Sequence, residues 1–503
     1  MPSDGSSRPG LNWRVMLAGL VCLVAIACAS DGDSEQDEPI PRASPAAAAP
    51  APAPAPTGGP DATPISGAHP ESTALPTALI TTTPPNAASE PPSSTTTSIP
   101  PSPVATVPAL TGIAAELARI GKLVSEIREL SADGEPNVAL VDRDRIAAEL
   151  AEDLDDPEVL AEIADLEVLL KLLGLIPQDE SLLEIERRLL EGAVIGLYNH
   201  DTGELLVLSG GEEVSATEES VYSHEYVHLL QDVNFGLGEL FDKAEEDSER
   251  MSALQALAEG EATFIETIYV ARQFTDQDLA ELFDIDPDSL AALEAAPDFL
   301  RLALEWPYIV GFEFVNSLWR QGGMSALDAA WADLPETTEQ IIHPEKYHAD
   351  EYPESAPTLP DLAAILGAGW DVRDVDVLGE AYIGIWLEAL GADRNSALRA
   401  ADGWGRDGYV LLDGPSGGSA LGLLIEWDDP TTDALQFSAA IERALDAADD
   451  FTSLDGGSAT IAVWDGPGGV LAFALDETTG AAGVTVAPTV DQATALLDAL
   501  VGP

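Results

Sequence analysis

The chain is poor in three residue types that usually organise chemistry or charge. It has only two cysteines, Cys22 and Cys28, both near the N-terminus, which excludes a disulfide framework and any cysteine-built zinc or iron–sulfur site. It has six histidines in 503 residues, so any pattern among them carries weight. Basic residues number 22 against 89 acidic ones, for a formal net charge of −67, and only four of the 22 are lysine. That imbalance argues against nucleic acid or an anionic membrane surface as the main partner, because both would repel it. It is also a composition that stays soluble in high salt. What the chain does have is a 46% hydrophobic fraction, ample for a sizeable core.

Residues 1–28 read as an export signal. Arg8 and Arg14 form a weakly basic start, and Val15–Ala27 is an apolar run of 13 residues, short for a membrane span. The run ends in Ala25-Ile26-Ala27-Cys28, which resembles a bacterial lipobox in which Cys28 becomes the lipidated first residue. The expected location is therefore extracytoplasmic, anchored to the membrane by lipid, or else secreted. Residues 29–108 are rich in Ala, Pro, Ser and Thr and cannot bury enough apolar area to fold. As a flexible coil of about 80 residues they would reach roughly 50 Å, enough to hold a domain clear of a surface.

Folded sequence is expected from 109 onward. Ile113, Leu117, Ile120, Leu123, Ile127 and Leu130 keep helical spacing, and helices are expected at about 143–153, 157–174 and 180–191. Ala193–Tyr198 and Leu205–Ser209 flank Asp201-Thr202-Gly203 and predict a β-hairpin. Ser215-Ala216-Thr217-Glu218 is a capping-box pattern that opens the next helix. Long helical stretches follow at about 248–274, 277–296 and 298–321. From Tyr409 the chain turns strand-rich (409–412, 421–427, 459–464, 469–475 and 482–488), with helices at 432–447 and 490–501. The expected fold is a mainly α domain with a small β-hairpin and edge strand, at 109–402, followed by a small α+β domain at 403–503.

The capped helix holds His224-Glu225-Tyr226-Val227-His228, an HExxH motif. Positions i and i+4 share a helix face, so both imidazoles can bind one metal while Glu225 reaches a water beside it. About 0.01 accidental copies are expected in a chain of this composition, so the motif is specific. Two surface histidines on an amphipathic helix are the bland alternative, and the apolar flanks (Tyr222, Leu229, Leu230, Val233) argue for a buried helix instead. No third histidine follows at the HExxHxxGxxH spacing. Downstream lies Ala258-Glu259-Gly260-Glu261-Ala262-Thr263, whose two carboxylates face different ways on a helix, so only one of them should bind metal.

Here the chain resembles the gluzincin metallopeptidases, such as thermolysin and the zinc aminopeptidases, in which a Glu on a second helix completes the zinc site. The Glu-Gly step is similar to that of the aminopeptidase branch and points to Glu259 as the ligand, with Glu261 the alternative. Thermolysin-like enzymes place an Asp four residues after that Glu to orient a zinc-bound His. This chain has Thr263 there, leaving Glu261 and Asp232 as substitutes. HEYVHLLQDVNF at 224–235, AEGEAT at 258–263, TTEQIIHPEKY at 337–347 and GWGRDGY at 403–409 together resemble a largely uncharacterised group of bacterial secreted or lipid-anchored proteins with a gluzincin-like core.

The resemblance implies one Zn2+ per chain on His224, His228 and Glu259. It implies hydrolysis of a peptide or protein by a zinc-activated water, with Glu225 as general base and His343 or Tyr347 as oxyanion donor. The strand Leu205–Ser209 would be the edge along which an extended substrate pairs. The expected form is a monomer tethered through lipidated Cys28, without nucleic acid. GWGRDGY reads as a Gly-rich turn packing Trp404 and Tyr409, with Arg406 and Asp407 able to line a cleft. His69, His200 and His348 are not ligand candidates. The alternatives are an inactive surface scaffold that keeps the fold, and a zinc hydrolase acting on a non-peptide amide.

Overall fold

The computed structural model describes residues 112–502, apart from short stretches at 133, 135, 210–212, 246, 285–286, 350, 352–354 and 455–460. The signal, Cys28 and the tether lie outside the described residues. Those described fall in one compact unit. Among them no helix is long and apolar enough to cross a membrane.

Four helices come first: α1 (Ile113–Arg128), α2 (Arg143–Leu154), α3 (Pro157–Leu173) and α4 (Leu182–Ala193), with β1 (Asn137–Val141) between the first two. The hairpin of β2 (Gly196–Asn199) and β3 (Glu204–Leu208) leads to α5 (Ala216–Phe235), α6 (Leu237–Ala244) and the long α7 (Ser248–Gln273). Then come α8 (Asp276–Leu282), α9 (Pro287–Glu294), the long α10 (Asp298–Gly322), α11 (Met324–Ala332), α12 (Thr338–Ile342), α13 (Pro344–His348) and α14 (Leu362–Leu366). β4 (Asp371–Asp376), α15 (Gly379–Ala389) and α16 (Arg394–Ala401) precede β5 (Trp404–Asp413) and β6 (Ser419–Trp427). The chain ends with α17 (Asp433–Ala447), β7 (Thr452–Ser453), β8 (Ala462–Gly466), β9 (Gly469–Leu475), β10 (Ala482–Ala487) and α18 (Val490–Val501). The fold is mostly helical, with its larger sheet towards the C-terminus.

The apolar stripe of α1 is buried at Leu117, Ile120, Val124 and Ile127, each worth about 1.5–3 kcal/mol out of water. It lies so close to α5 that a methyl group at Gly121 would stand 2.5 Å from the Tyr226 ring. The two long helices α7 and α10 touch backbone to backbone, where Gly260 meets Gly311 and Gly311 meets Ala256; a Cβ at either glycine would run into main chain. Glu259 and Tyr308, next to the crossing in sequence, are both buried.

The small sheet has the order β1-β3-β2, with β1 parallel to β3 and β2 antiparallel to it. The hairpin is as expected, but its second strand is not an edge. β1 pairs along it from Asn137–Glu204 to Val141–Leu208, so Leu205–Ser209 is central and β2 lies at the margin. A five-residue strand paired with a partner more than sixty residues away leaves no local sequence signal.

The larger sheet is antiparallel, with the order β4-β5-β6-β10-β9-β8-β7. Both of its faces are covered. Phe437 and Ile441 of α17 pack with Leu411, Leu423 and Phe473 in the main core, while Leu496 and Leu497 of α18 pack with Val410, Leu412 and Ala472 in a second core. Burial on two sides explains why runs such as LGLLIEW are continuously apolar rather than alternating. GWGRDGY is not a turn: after Gly403 it forms the first half of β5, with a bulge between Trp404 and Arg406. Its glycines suggested a turn, but the paired β6 holds the segment extended.

Candidate metal centre

Local chemistry builds the motif helix. The Ser215 hydroxyl accepts a hydrogen bond from the Glu218 amide and the Glu218 carboxylate accepts one from the Ser215 amide, closing the expected capping box. Gly236 ends the helix in a left-handed conformation. Residues Ser220–Gln231 are buried all round, between α1, the small sheet and α7.

His224, His228 and Glu259 converge, with one ligand atom from each lying within 4.8 Å of the others. Glu259 Oε2 stands 3.1 Å from His224 Nε2 and 3.4 Å from His228 Nε2. Glu225 sits beside them, its Oε1 against Gly196 of β2, and both its oxygens are buried, with the Tyr198 amide nearby but not placed to complete a hydrogen bond. Glu259 Oε1 is also buried and unpartnered, while His228 Nε2 has only its long contact with Glu259 Oε2. Each such group costs about 1–3 kcal/mol when left unsatisfied. Two imidazole nitrogens, a carboxylate and a cluster of orphaned polar atoms are a donor set that fits a metal ion with one position left over.

Within the cluster the imidazoles and carboxylates stabilise each other's charges. Burial disfavours the charged form of His224, but Glu259 and Glu266 outweigh it and raise its pKa to about 10. Burial likewise works against the Glu259 carboxylate, yet His228 and His224 hold its pKa at about 2. For Glu225, burial wins over the neighbouring imidazoles and lifts the pKa to about 7.

The ring nitrogens facing away are held too. His224 Nδ1 is 3.1 Å from Glu266 Oε2, and Glu266 Oε1 accepts from Ser220 Oγ at 2.5 Å. His228 Nδ1 is 2.9 Å from Gln231 Oε1, while Gln231 Nε2 donates to Ala258 O and Glu261 Oε2. These partners fix ring orientation. The orienting carboxylate of His224 is therefore Glu266, seven residues after Glu259. Asp232 instead accepts from the Tyr198 hydroxyl and the Gly238 amide. Glu261 turns away from the imidazoles and accepts from Arg128 Nε at 2.5 Å and Trp331 Nε1 at 2.8 Å. Tyr308 of α10 stacks on His224 with ring centroids 6.0 Å apart. Sequence reading missed Glu266, Gln231 and Tyr308. Two had a usable signal: Glu266 lies two helical turns beyond Glu259 and Gln231 one turn beyond His228.

The other residues singled out lie elsewhere. His343 Nε2 is 2.8 Å from Glu380 Oε1, and the Tyr347 hydroxyl donates to the Asp333 carbonyl at 2.7 Å. His348 Nε2 meets Gln321 Nε2, and His200 lies near Asp201; His69 is outside the described residues. Arg406 and Asp407 line a cavity of about 890 Å³ with Glu249, Asp376 and Trp404; no residue of the metal cluster lines it. Asp407 is buried and accepts from the Leu378 and Gly379 amides and from Trp404 Nε1, so it ties the start of α15 to β5.

A family model described as a domain of unknown function (DUF8575) matches residues 369–497. That span runs from just before β4 into α18 and excludes the HExxH cluster. No curated protein and no solved structure gives a significant match to the chain.

Proposed function

We propose that the protein is a zinc metallopeptidase with a zincin-like core, hydrolysing peptide bonds at the cluster of His224, Glu225, His228 and Glu259. The observation that carries this reading is the convergence of those four side chains, with unpartnered buried oxygens on both Glu225 and Glu259. His224, His228 and Glu259 would hold the zinc, which when bound supplies a Lewis acid and lowers the pKa of water. Glu225 is the proton carrier: it takes a proton from the attacking water and returns it to the leaving amine. Its carboxylate faces Gly196 of β2, one of the two marginal strands, so an extended substrate pairs along β2 rather than the central β3. Glu266 and Gln231 keep the two imidazoles turned inward. The N-terminal signal, Cys28 and the tether would hold this activity on the outer side of a cell membrane.

One observation favours the second reading, a surface scaffold that keeps the fold without the activity. His224, Glu225, His228 and Glu259 are all buried, so catalysis requires whatever covers them to move. Zinc analysis with peptide-library digestion separates the two. Zinc that is lost from the HExxH cluster in H224A/H228A, with cleavage that E225Q abolishes, supports the peptidase. Zinc without cleavage, or cleavage undiminished in E225Q, removes it.

A further inference from the structure

Two motifs lie outside that site, TTEQIIHPEKY and GWGRDGY, and the fold brings them together. His343 follows α12, Glu380 sits in the first turn of α15, and Asp402 closes α16 one residue before the GWGRDGY run. His343 Nε2 is 2.8 Å from Glu380 Oε1 and 3.6 Å from Asp402 Oδ1. One ligand atom from each of the three lies within 4.8 Å of the others. Glu380 is 2% exposed, and its second oxygen, Oε2, is buried with no hydrogen-bond partner. The neighbouring amine does not serve it: Lys346 is held by Glu339, Glu351 and Asp428. A single imidazole therefore faces two carboxylates, one of them buried and half satisfied.

We propose that His343, Glu380 and Asp402 form a second cation site, distinct from the HExxH cluster, that binds a divalent transition metal such as Zn2+ or Mn2+. The imidazole nitrogen stands 2.8 and 3.6 Å from the two carboxylates, separations that suit an ion about 2.0–2.2 Å from each donor. The imidazole selects a transition metal over Ca2+, which prefers an all-oxygen shell. Asp402 is 63% exposed and gives the ion a route from solvent. The role is structural. The ion joins the segment between α12 and α13 to α15 and to the entrance of β5, and so fastens the helices to the seven-stranded sheet.

The test is Zn2+ titration of the metal-stripped full chain by calorimetry, with elemental analysis, in excess Mg2+ to fill weak carboxylate sites. The wild type should bind two Zn2+, H343Q one, and D402N two with one weakened by about tenfold or more. The H224A/H228A double variant should keep the site that H343Q loses, and that result stands even if the HExxH cluster takes no metal. Asp402 is exposed, so D402N folds even where H343Q does not. A wild-type isotherm in D402N together with one in H343Q, or no Zn2+ bound by H224A/H228A, overturns the proposal and leaves an ordinary His343–Glu380 ion pair.

Discussion

Glu259 and Glu261 stand two residues apart on one helix, both with side chains 0% exposed, in opposite circumstances. Glu261 is saturated: Arg128, Trp331 and Gln231 all donate to it. Glu259 faces two imidazoles and keeps one oxygen with no partner. Burial alone does not distinguish a structural carboxylate from a ligand. A complete set of donors holds a fold together; an incomplete one leaves room for an ion.

The largest expected effect tests the ligand side. E225Q should retain the metal and lower peptide hydrolysis about 10²–10⁴-fold, read as kcat/KM beside elemental analysis. Loss of metal along with activity would make Glu225 a structural part of the cluster. On the saturated side, R128A leaves Glu261 buried and uncompensated and should cost about 3–5 kcal/mol in denaturant unfolding, with metal stoichiometry unchanged while the chain is folded. A loss below about 1 kcal/mol would erase the contrast between the two glutamates. E266Q should weaken metal affinity about 10–100-fold without altering stoichiometry, as measured by competition with a chelator.

The smallest effect concerns carboxylates in neither state. Burial raises Asp376 to about 7 and Asp407 to about 6, although each accepts hydrogen bonds. Their pKa values are higher in the folded chain than the ordinary value of about 3.9, so the folded state holds protons that the unfolded state has released. The stability they confer is whole below about pH 4 and is lost as pH rises through about 6 to 7. Thermal unfolding temperature should fall across that window, and D376N should flatten the fall. An unchanged slope in D376N would show that other groups drive it.

Much of the helical part was legible because local periodicity encodes it. The capping box, the apolar stripe of α1 and the hairpin around Asp201 need only neighbouring residues. β1 and β4 were not legible, for different reasons. NVALV is too short to signal a parallel pairing, and DVRDVD leaves Val372 and Val375 exposed at a sheet edge, where alternation carries no burial. The doubly covered strands at 421–427 and 482–487 were easy, since continuous apolar runs survive any choice of face.

By itself the sequence determined that His224 and His228 share a helix face, because four residues make about one turn of any α-helix. It also settled that Glu225 lies one residue along from the ligand face. Which carboxylate meets the histidines was a matter for tertiary structure. Two positions on a helix point roughly 200° apart, and only the packing of α7 decides which side meets α5. Gly260 and Gly311 let α7 and α10 touch at the backbone, Arg128 of α1 claims Glu261, and Glu259 is left facing the imidazoles.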